Sequence, residues 1–438
     1  MKFNSITSTP ARLALVCMAG YLIILGIVAE NQPWGRGWWH DFKFYLNQKS
    51  TSYTPPDENS PEMAALQKKI DAWYPQILER YPLLKVEYKN VPDDQNGFLK
   101  IIEWQEELLP LSKDEFPNAL NTKLPSGYLE KIDWDHLLAN PQEIEAFLAP
   151  KKAILDRAMA IGLLPEQSSS GISSDRYLFR TSLFSNKIIN YLRLKAIAEA
   201  KQKNASATLK TLLASKGWAN HMSNMETPYL MSTTFATSIR LSLQSTIHNE
   251  ILPLLAKDDI DYEQWAKLTE SAPDLPHQWL KMWRGEWCVI AKSKWNTKTL
   301  LDENFSDPIA FMNASATVFN SISDPKTFST LDDWDTPPPP AKLTRKSRAF
   351  YEDQFNKNLF IGFGKGLLRS HTTLRQYQLA FTLKKLEAED HDLTQLDQTT
   401  LDSLTTQILP DLHLNIDFNK RQITASKNKI SNPKTISF

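Results

Sequence analysis

Cysteine and glycine are both scarce in this sequence. Of 438 residues, two are cysteine and 13 are glycine. Cys17 lies in an apolar run and Cys288 stands alone in the rest of the chain, which excludes a disulfide framework and a thiolate metal site. We expect Cys288, in the apolar segment WCVIA, to be an inert core residue. The low glycine content, with many Leu, Ala, Lys, Glu and Gln residues, favours helix.

The sequence also lacks net charge. Lys plus Arg and Asp plus Glu both number 50, so the formal net charge is zero. A neutral balance gives no net field that would attract nucleic acid. We therefore expect no nucleic-acid partner.

Catalytic and cofactor motifs are missing as well. The segment Gly362–Gly366, GFGKG, fits neither a dinucleotide fingerprint nor a P-loop, and we interpret it as a kink or close-packing point in a helix. The serine-rich loop 168–174 has no GxSxG motif. His248 and Glu250 lack a third ligand at a usable spacing. We predict no cofactor and no metal, and no catalytic residue can be named.

One apolar stretch is the main basis for predicting where the protein functions. Leu13 to Ala29 is a run of 17 residues without a charge. As a helix it spans about 26 Å, close to the hydrocarbon core of about 30 Å. We predict a single transmembrane anchor at 13–31 that contacts the lipid bilayer through Leu13 to Ala29. Its membrane-interface residues are Arg12, Trp34, Trp38 and Trp39.

Two alternatives to a retained anchor stay open, a cleaved secretory signal and a buried core helix. The length of the run and the tryptophans that follow it favour the anchor. Basic residues flank both sides, so the positive-inside rule does not fix the orientation. We expect the short tail to stay inside and the large domain to lie on the exported side, periplasmic or extracellular. A domain that faces the cytosol is the alternative.

The rest of the chain predicts a mainly α protein: one N-terminal transmembrane helix, then a large irregular helical domain (bundle or array) with a small C-terminal β-hairpin. We divide it into a short tail (1–12), the anchor (13–31), an aromatic collar and polar tether (32–60), the main helical domain (61–331), a proline-rich connector (332–342), and C-terminal helices with the hairpin (343–438).

Several local signals define the predicted elements. Ser60-Pro61 starts a helix that Pro75 kinks or splits, and Leu83 to Tyr88 is a short extended candidate. Asn140 to Glu143 resembles a capping box that opens a helix to about Leu164. Helices over 176–221 break near Lys203-Asn204, and another runs from Thr227-Pro228 to about Lys257. Two more helices cover 345–370 and 374–389, and one lies around 401–408. Alternation over 412–425 predicts the hairpin, and the last ten residues are expected to fray.

The segment Trp283–Trp287, WRGEW, is the candidate ligand cluster. Trp283, Arg284, Glu286 and Trp287 would combine a cation, an acid and two large rings, a combination that suits sugars or peptides. The alternative is that Trp279, Trp283 and Trp287 form a packing stripe four residues apart, with Arg284 and Glu286 in solvent.

Two functions follow from these features. The first is a membrane-anchored helical protein of the bacterial cell envelope with a binding or scaffolding role, and with possible protein partners there. The second is an anchored hydrolase of envelope polysaccharide or peptide that uses acidic residues in a tryptophan-lined cleft. The absence of catalytic motifs favours the first function over an enzyme.

Overall fold

A computed structural model of the chain describes residues 61–108, 134–173, 180–269, 274–292, 308–338, 351–352, 355–393, 414–425 and 435–437. The predicted tail, anchor and tether at 1–60 lie outside these residues, together with Arg12, Trp34, Trp38 and Trp39. The helix predicted around 401–408 also lies outside them. Within the described ranges, no helix combines the length and apolar character needed to cross a bilayer.

Helices dominate the described chain, as the sequence predicted. In chain order they are α1 (Pro61–Arg80), α2 (Gly97–Leu108), α3 (Trp134–Ala139), α4 (Pro141–Leu148), α5 (Lys152–Gly162), α6 (Arg180–Lys201), α7 (Ala205–Ser223), α8 (Leu230–Thr246), α9 (Tyr262–Thr269), α10 (Leu275–Lys292), α11 (Pro308–Ser323), α12 (Pro325–Ser329) and α13 (Lys357–Ala388). Short 3₁₀ turns lie at Pro82–Leu84, Ala149–Lys151, Leu252–Leu254 and Lys257–Asp259, and a π-helical turn lies at Ile247–Ile251.

The first helix follows its apolar stripe. Five residues of the stripe are buried, Met63, Leu66, Ile70, Trp73 and Ile77, at spacings that place them on one face. Pro75 lies inside this one helix and does not split it. The following segment, predicted as extended from Leu83, instead begins with the 3₁₀ turn Pro82–Leu84, because Pro82 suits the first position of a helical turn.

The predicted break between α6 and α7 is confirmed. Lys203 has a φ of 62°, which ends α6 in the left-handed region. The Asn204 side chain then accepts a hydrogen bond from the Ala207 N–H at 3.0 Å and caps α7. Local residue chemistry is sufficient to determine this boundary.

The predicted capping box at Asn140 is wrong. The Asn140 amide donates to the backbone oxygen of His136 at 2.9 Å, and Glu143 contacts the His136 ring at 2.7 Å. The helix also ends early: α4 stops at Leu148, and a 3₁₀ turn that contains Pro150 separates it from α5. Both polar side chains therefore bind the preceding helix α3 and not the start of α4.

Two other helix lengths differ from prediction. The helix expected to reach Lys257 ends as an α-helix at Thr246, and it continues as the π-helical turn and a 3₁₀ turn that contains Pro253. The two helices expected at 345–370 and 374–389 are one continuous helix, α13, in its described part. The hydroxyls of Thr372 and Thr373 donate to the carbonyls of Leu368 and Arg369, so these polar residues do not interrupt it.

The predicted hairpin is confirmed and a third strand extends it. Strands β1 (Leu414–Asp417) and β2 (Gln422–Ala425) are antiparallel, with Ile416 opposite Ile423. The expected fraying of the last ten residues is wrong at β3 (Thr435–Ser437), which pairs antiparallel with β2. Ile436 lies opposite Ile423, and both are buried against α13, so hydrophobic contact accounts for this strand.

Two large hydrophobic cores organise the helices. Helices α2 to α9 surround the first, and α1, α10 and α11 surround the second. Phe360 and Phe363 of α13 pack in the second core and Phe381 of the same helix packs in the first, so α13 spans both.

Within α13, a Cβ on Gly364 would lie 2.1 Å from Leu331, which confirms a close-packing point in the GFGKG segment. Trp334, in the predicted connector, is buried in the second core. The connector boundary itself stays a prediction.

Replacing Gly217 by alanine is expected to destabilise the protein by about 2–3 kcal/mol. Helices α5 and α7 approach so closely that a Cβ on Gly217 would lie 1.7 Å from the carbonyl oxygen of Gly162. Chemical unfolding of the purified full chain measures the effect. Gly366→Ala, on α13, is the matched control, because nothing lies within 4 Å of its Cβ position. It should leave stability unchanged or raise it by up to about 1 kcal/mol. Equal effects of the two substitutions would contradict the close approach.

Candidate functional site

The two tryptophans of the WRGEW segment are core residues. Trp283 is 3% exposed and Trp287 is fully buried. The Trp283 ring lies 4.8 Å from that of Phe360, and the Trp287 ring lies 5.9 Å from that of Trp73, between ring centroids. These rings pack inside the second core with Trp279, as the stripe interpretation expects, and they are shielded from solvent.

The acidic residue of this segment, Glu286, binds the start of a neighbouring helix. Glu286 is partly buried, and its carboxylate accepts a hydrogen bond from the Leu230 N–H at 3.0 Å, at the first residue of α8. Tyr229, which precedes α8, provides no side-chain cap, so Glu286 supplies one from α10. Burial raises the pKa of Glu286, and the Leu230 N–H partly offsets that rise.

Gly285 and Arg284 complete the same packing. A Cβ on Gly285 would lie 2.1 Å from the carbonyl oxygen of Pro228, so only glycine allows α10 to approach this segment. Arg284 is partly buried and donates from Nε to the carbonyl oxygen of Leu83 at 2.9 Å. The solvated positions that the stripe interpretation assigned to Arg284 and Glu286 are therefore wrong. Each member of the segment has a contact that explains it structurally.

The remaining singled-out residues are also packed. Cys288 is buried, its sulfur lies 3.7 Å from the Tyr74 hydroxyl, and burial raises the pKa of its thiol, in agreement with an inert core residue. His248 lies in the π-helical turn with its ring centroid 5.1 Å from that of Tyr377. Among the described residues, no group of three His, Cys, Asp or Glu side chains could hold a metal ion.

A depression where three helices meet presents a different chemistry. We call it the junction depression. It is lined by Thr237 and Arg240 from α8, Gln278 from α10, and Leu367, His371 and Leu374 from α13. Thr237 and Arg240 are three residues apart, and the three α13 residues follow spacings of four and three, so each set lies on one helix face. Junctions between packed helices are common places for ligand sites.

Arg240 is the unusual group in this depression. It is 7% exposed, and its Nη2 donates to Asn220 Oδ1 at 3.0 Å and to Ser223 Oγ at 2.7 Å. Its Nη1 is buried without a hydrogen-bond partner among the described residues. Desolvation lowers the pKa of Arg240 to about 10, so the guanidinium is still a cation at neutral pH.

Three other arginines of the described chain, Arg157, Arg193 and Arg421, have acidic partners, and Arg240 has none among the described residues. Arg157 forms a bidentate pair with Glu107, with distances of 2.6 and 2.7 Å, and Arg193 pairs with Glu250. The contacts of Arg240 are to a neutral amide and a hydroxyl. A buried charge without a counter-charge costs several kcal/mol, because neutral dipoles replace only part of its hydration. An anion that enters the depression would remove much of that cost.

Sequence reasoning missed this site, although a signal existed. Arg240 is the only charged residue between Leu230 and Thr246, in a helix rich in serine and threonine. A single arginine on a surface helix would not indicate a site. Arg240 indicates one only because the polar face of α8 is buried, with Thr233, Thr237 and Gln244 inside the protein as well.

No protein-family model, no curated protein and no solved structure matches this chain.

Glu286→Ala is expected to destabilise the full chain by about 1–2 kcal/mol, because α8 loses the acceptor at its first turn. Glu286→Gln keeps an oxygen acceptor and should stay within about 0.5 kcal/mol of the wild type at the acidic end of the titration. The raised pKa means that the wild type loses stability as pH rises from the unfolded value through the folded value, whereas the glutamine variant does not. Chemical unfolding at a series of pH values from acidic to mildly alkaline measures both effects. Glu79→Ala, at an exposed position of α1, is the control. A large loss in the glutamine variant at every pH would contradict the cap.

His248 is expected to make the protein sensitive to acid. Burial, with Lys384 nearby, lowers its pKa to about 3, below the unfolded value of about 6.5. The unfolded chain then binds the extra proton, so stability falls as pH drops below 6.5, by about 2 kcal/mol at pH 5. His248→Phe should remove this contribution in unfolding measured from pH 7.5 to 5 and leave that of buried His221, whose pKa is lowered to about 4. The same substitution at exposed His391 should not change it. An unaltered slope in His248→Phe would refute this origin.

Proposed function

We propose that this chain is a single-pass membrane protein of the bacterial cell envelope whose helical domain has a binding or scaffolding role. Leu13–Ala29 would be the anchor, with Arg12, Trp34, Trp38 and Trp39 at the interface and the helical domain on the exported side. The uncharged length of this stretch and the aromatic residues that follow it support the anchor.

The observation that carries the binding role is the buried, acid-free Arg240 in the junction depression. A guanidinium in such a place recognises an anionic group through charge-assisted hydrogen bonds. Its polar neighbours in the depression are a threonine, a glutamine and a histidine, and none of the described residues that line it is a carboxylate or a thiol. This composition supports recognition of a group and not its chemical conversion.

The hydrolase alternative receives no specific support. It requires acidic residues beside exposed tryptophan rings, whereas Trp283 and Trp287 are buried and Glu286 caps α8. The contacts of these residues therefore favour the binding role.

Capture from membranes tests this function. The full chain, tagged after Phe438, is cross-linked in intact membranes, extracted and purified, and the co-purifying components are quantified by mass spectrometry. We expect the chain to stay with membranes after a carbonate wash. At least one component should fall about fivefold or more in Arg240→Met, because the cation that it contacts is gone.

Arg157→Met is the matched control, because it removes a surface arginine that already has an acidic partner. It should leave the captured set unchanged. The same set in the wild type and in both variants would refute a binding role at the junction depression. A chain released by the carbonate wash would refute the anchor.

A further inference from the structure

We propose that the junction depression binds a single carboxylate group carried on a short apolar group. This inference rests on the binding function proposed above and names the chemistry that the same site would recognise. The carboxylate can belong to a small organic acid or to the end of a polypeptide, and the two sources share the same head group.

The charge of the site favours one negative charge. Among the described residues, Arg240 is the only lysine or arginine that lines the depression, and it has no acidic partner. A carboxylate would form a neutral pair with it. A phosphate group carries a charge of about −1.5 to −2 near neutral pH, so it would leave excess negative charge in a buried place.

The available donors also fit a carboxylate. Nη2 already donates to Asn220 and Ser223, which fixes the guanidinium plane, and Nη1 has no acceptor within the described part of the chain. A carboxylate oxygen can accept from Nη1 at a charge-assisted distance of about 2.8 Å. Phosphate has three strong acceptor oxygens, and a site with so few free donors would satisfy them poorly.

The residues that line the depression favour a carboxylate that is attached to a short apolar group. Arg240, Gln278 and His371 are buried, whereas Leu367 and Leu374 are partly exposed, so the inner part of the depression is polar and its outer edge is aliphatic. The depression has about 190 Å³ of space, including the part open to solvent. In this conformation it is closed to a water-sized molecule, so a ligand must move the leucine side chains apart. A carrier of only a few carbon atoms requires the smallest such displacement.

Thermal unfolding of the full chain with defined probes tests this inference. The probes are acetate, propionate and butyrate, with propionamide as the neutral counterpart and inorganic phosphate as the other anion. Acetyl-Ala-Ala with a free carboxylate, compared with its amide, represents a polypeptide source. Sodium chloride keeps the ionic strength constant.

We expect a saturable rise in the unfolding midpoint with propionate or butyrate, of about 3 °C when the concentration is about 100 times Kd. Acetate should act more weakly, and propionamide should have no effect. Arg240→Met should abolish the shift while its ligand-free midpoint stays equal to or above that of the wild type, because a buried charge without an acidic partner has been removed. Arg157→Met should respond like the wild type. A response to acetyl-Ala-Ala alone assigns the carboxylate to a polypeptide and still supports the inference.

Other results overturn it. A stronger Arg240-dependent response to phosphate would reject the carboxylate and leave the proposed binding function intact. A carboxylate response that persists in Arg240→Met would reject the site. No response to any probe would reject the inference, and the membrane capture would then decide the function separately.

Discussion

The contact between the middle of α10 and the start of α8 is the constraint on which the junction depends. Gly285 permits the approach to Pro228, and Glu286 accepts from the Leu230 N–H at the first residue of α8. These two interactions fix where α8 begins and how it lies beside α10. The position of Arg240, about three turns further along α8, follows from that start.

The same contact connects the two cores. Trp283 and Trp287 fix one side of α10 in the second core, while α8 packs in the first. Phe98, Ile102, Met225, Tyr229 and Val289 form a small cluster between α2, α10 and the segment before α8. The WRGEW segment, which the sequence suggested as a ligand cluster, therefore lies where the two cores meet. Its mixture of rings and charges reflects different contacts on different sides of one helix.

Local chemistry determines the parts of the fold that the sequence predicted. The break at Lys203 and Asn204 needs only a left-handed residue and a side-chain cap, and the hairpin needs only alternation and a turn. The errors occur where distant contacts decide. Thr372 and Thr373 resemble a break but bond back to their own helix, and Asn140 resembles a cap but bonds to α3. The third strand depends on Ile436 meeting Ile423 and α13, which no local pattern contains.

The candidate site was beyond sequence reasoning for the same reason. Glu286 and Arg240 are both ordinary surface residues when only the helical pattern is considered, because either could face solvent. Burial gives each its role. Glu286 has a backbone N–H to offset its desolvation, whereas Arg240 has a neutral amide and a hydroxyl, which compensate a cation less well. The contrast between these two groups, on adjacent helices, separates the structural part of the junction from the part that favours a ligand.

The place of Arg240 also determines what a bound anion would do to the protein. Leu367, His371 and Leu374 lie in the middle of α13, between the residues that enter the second core and Phe381, which enters the first. A group held by Arg240 and covered by Leu367 and Leu374 would contact α8 and α13 together, beside Gln278 of α10. Binding would then stabilise the packing of all three helices, because a ligand favours the arrangement that it contacts best. The long helix that spans both cores would transmit that stabilisation to each of them.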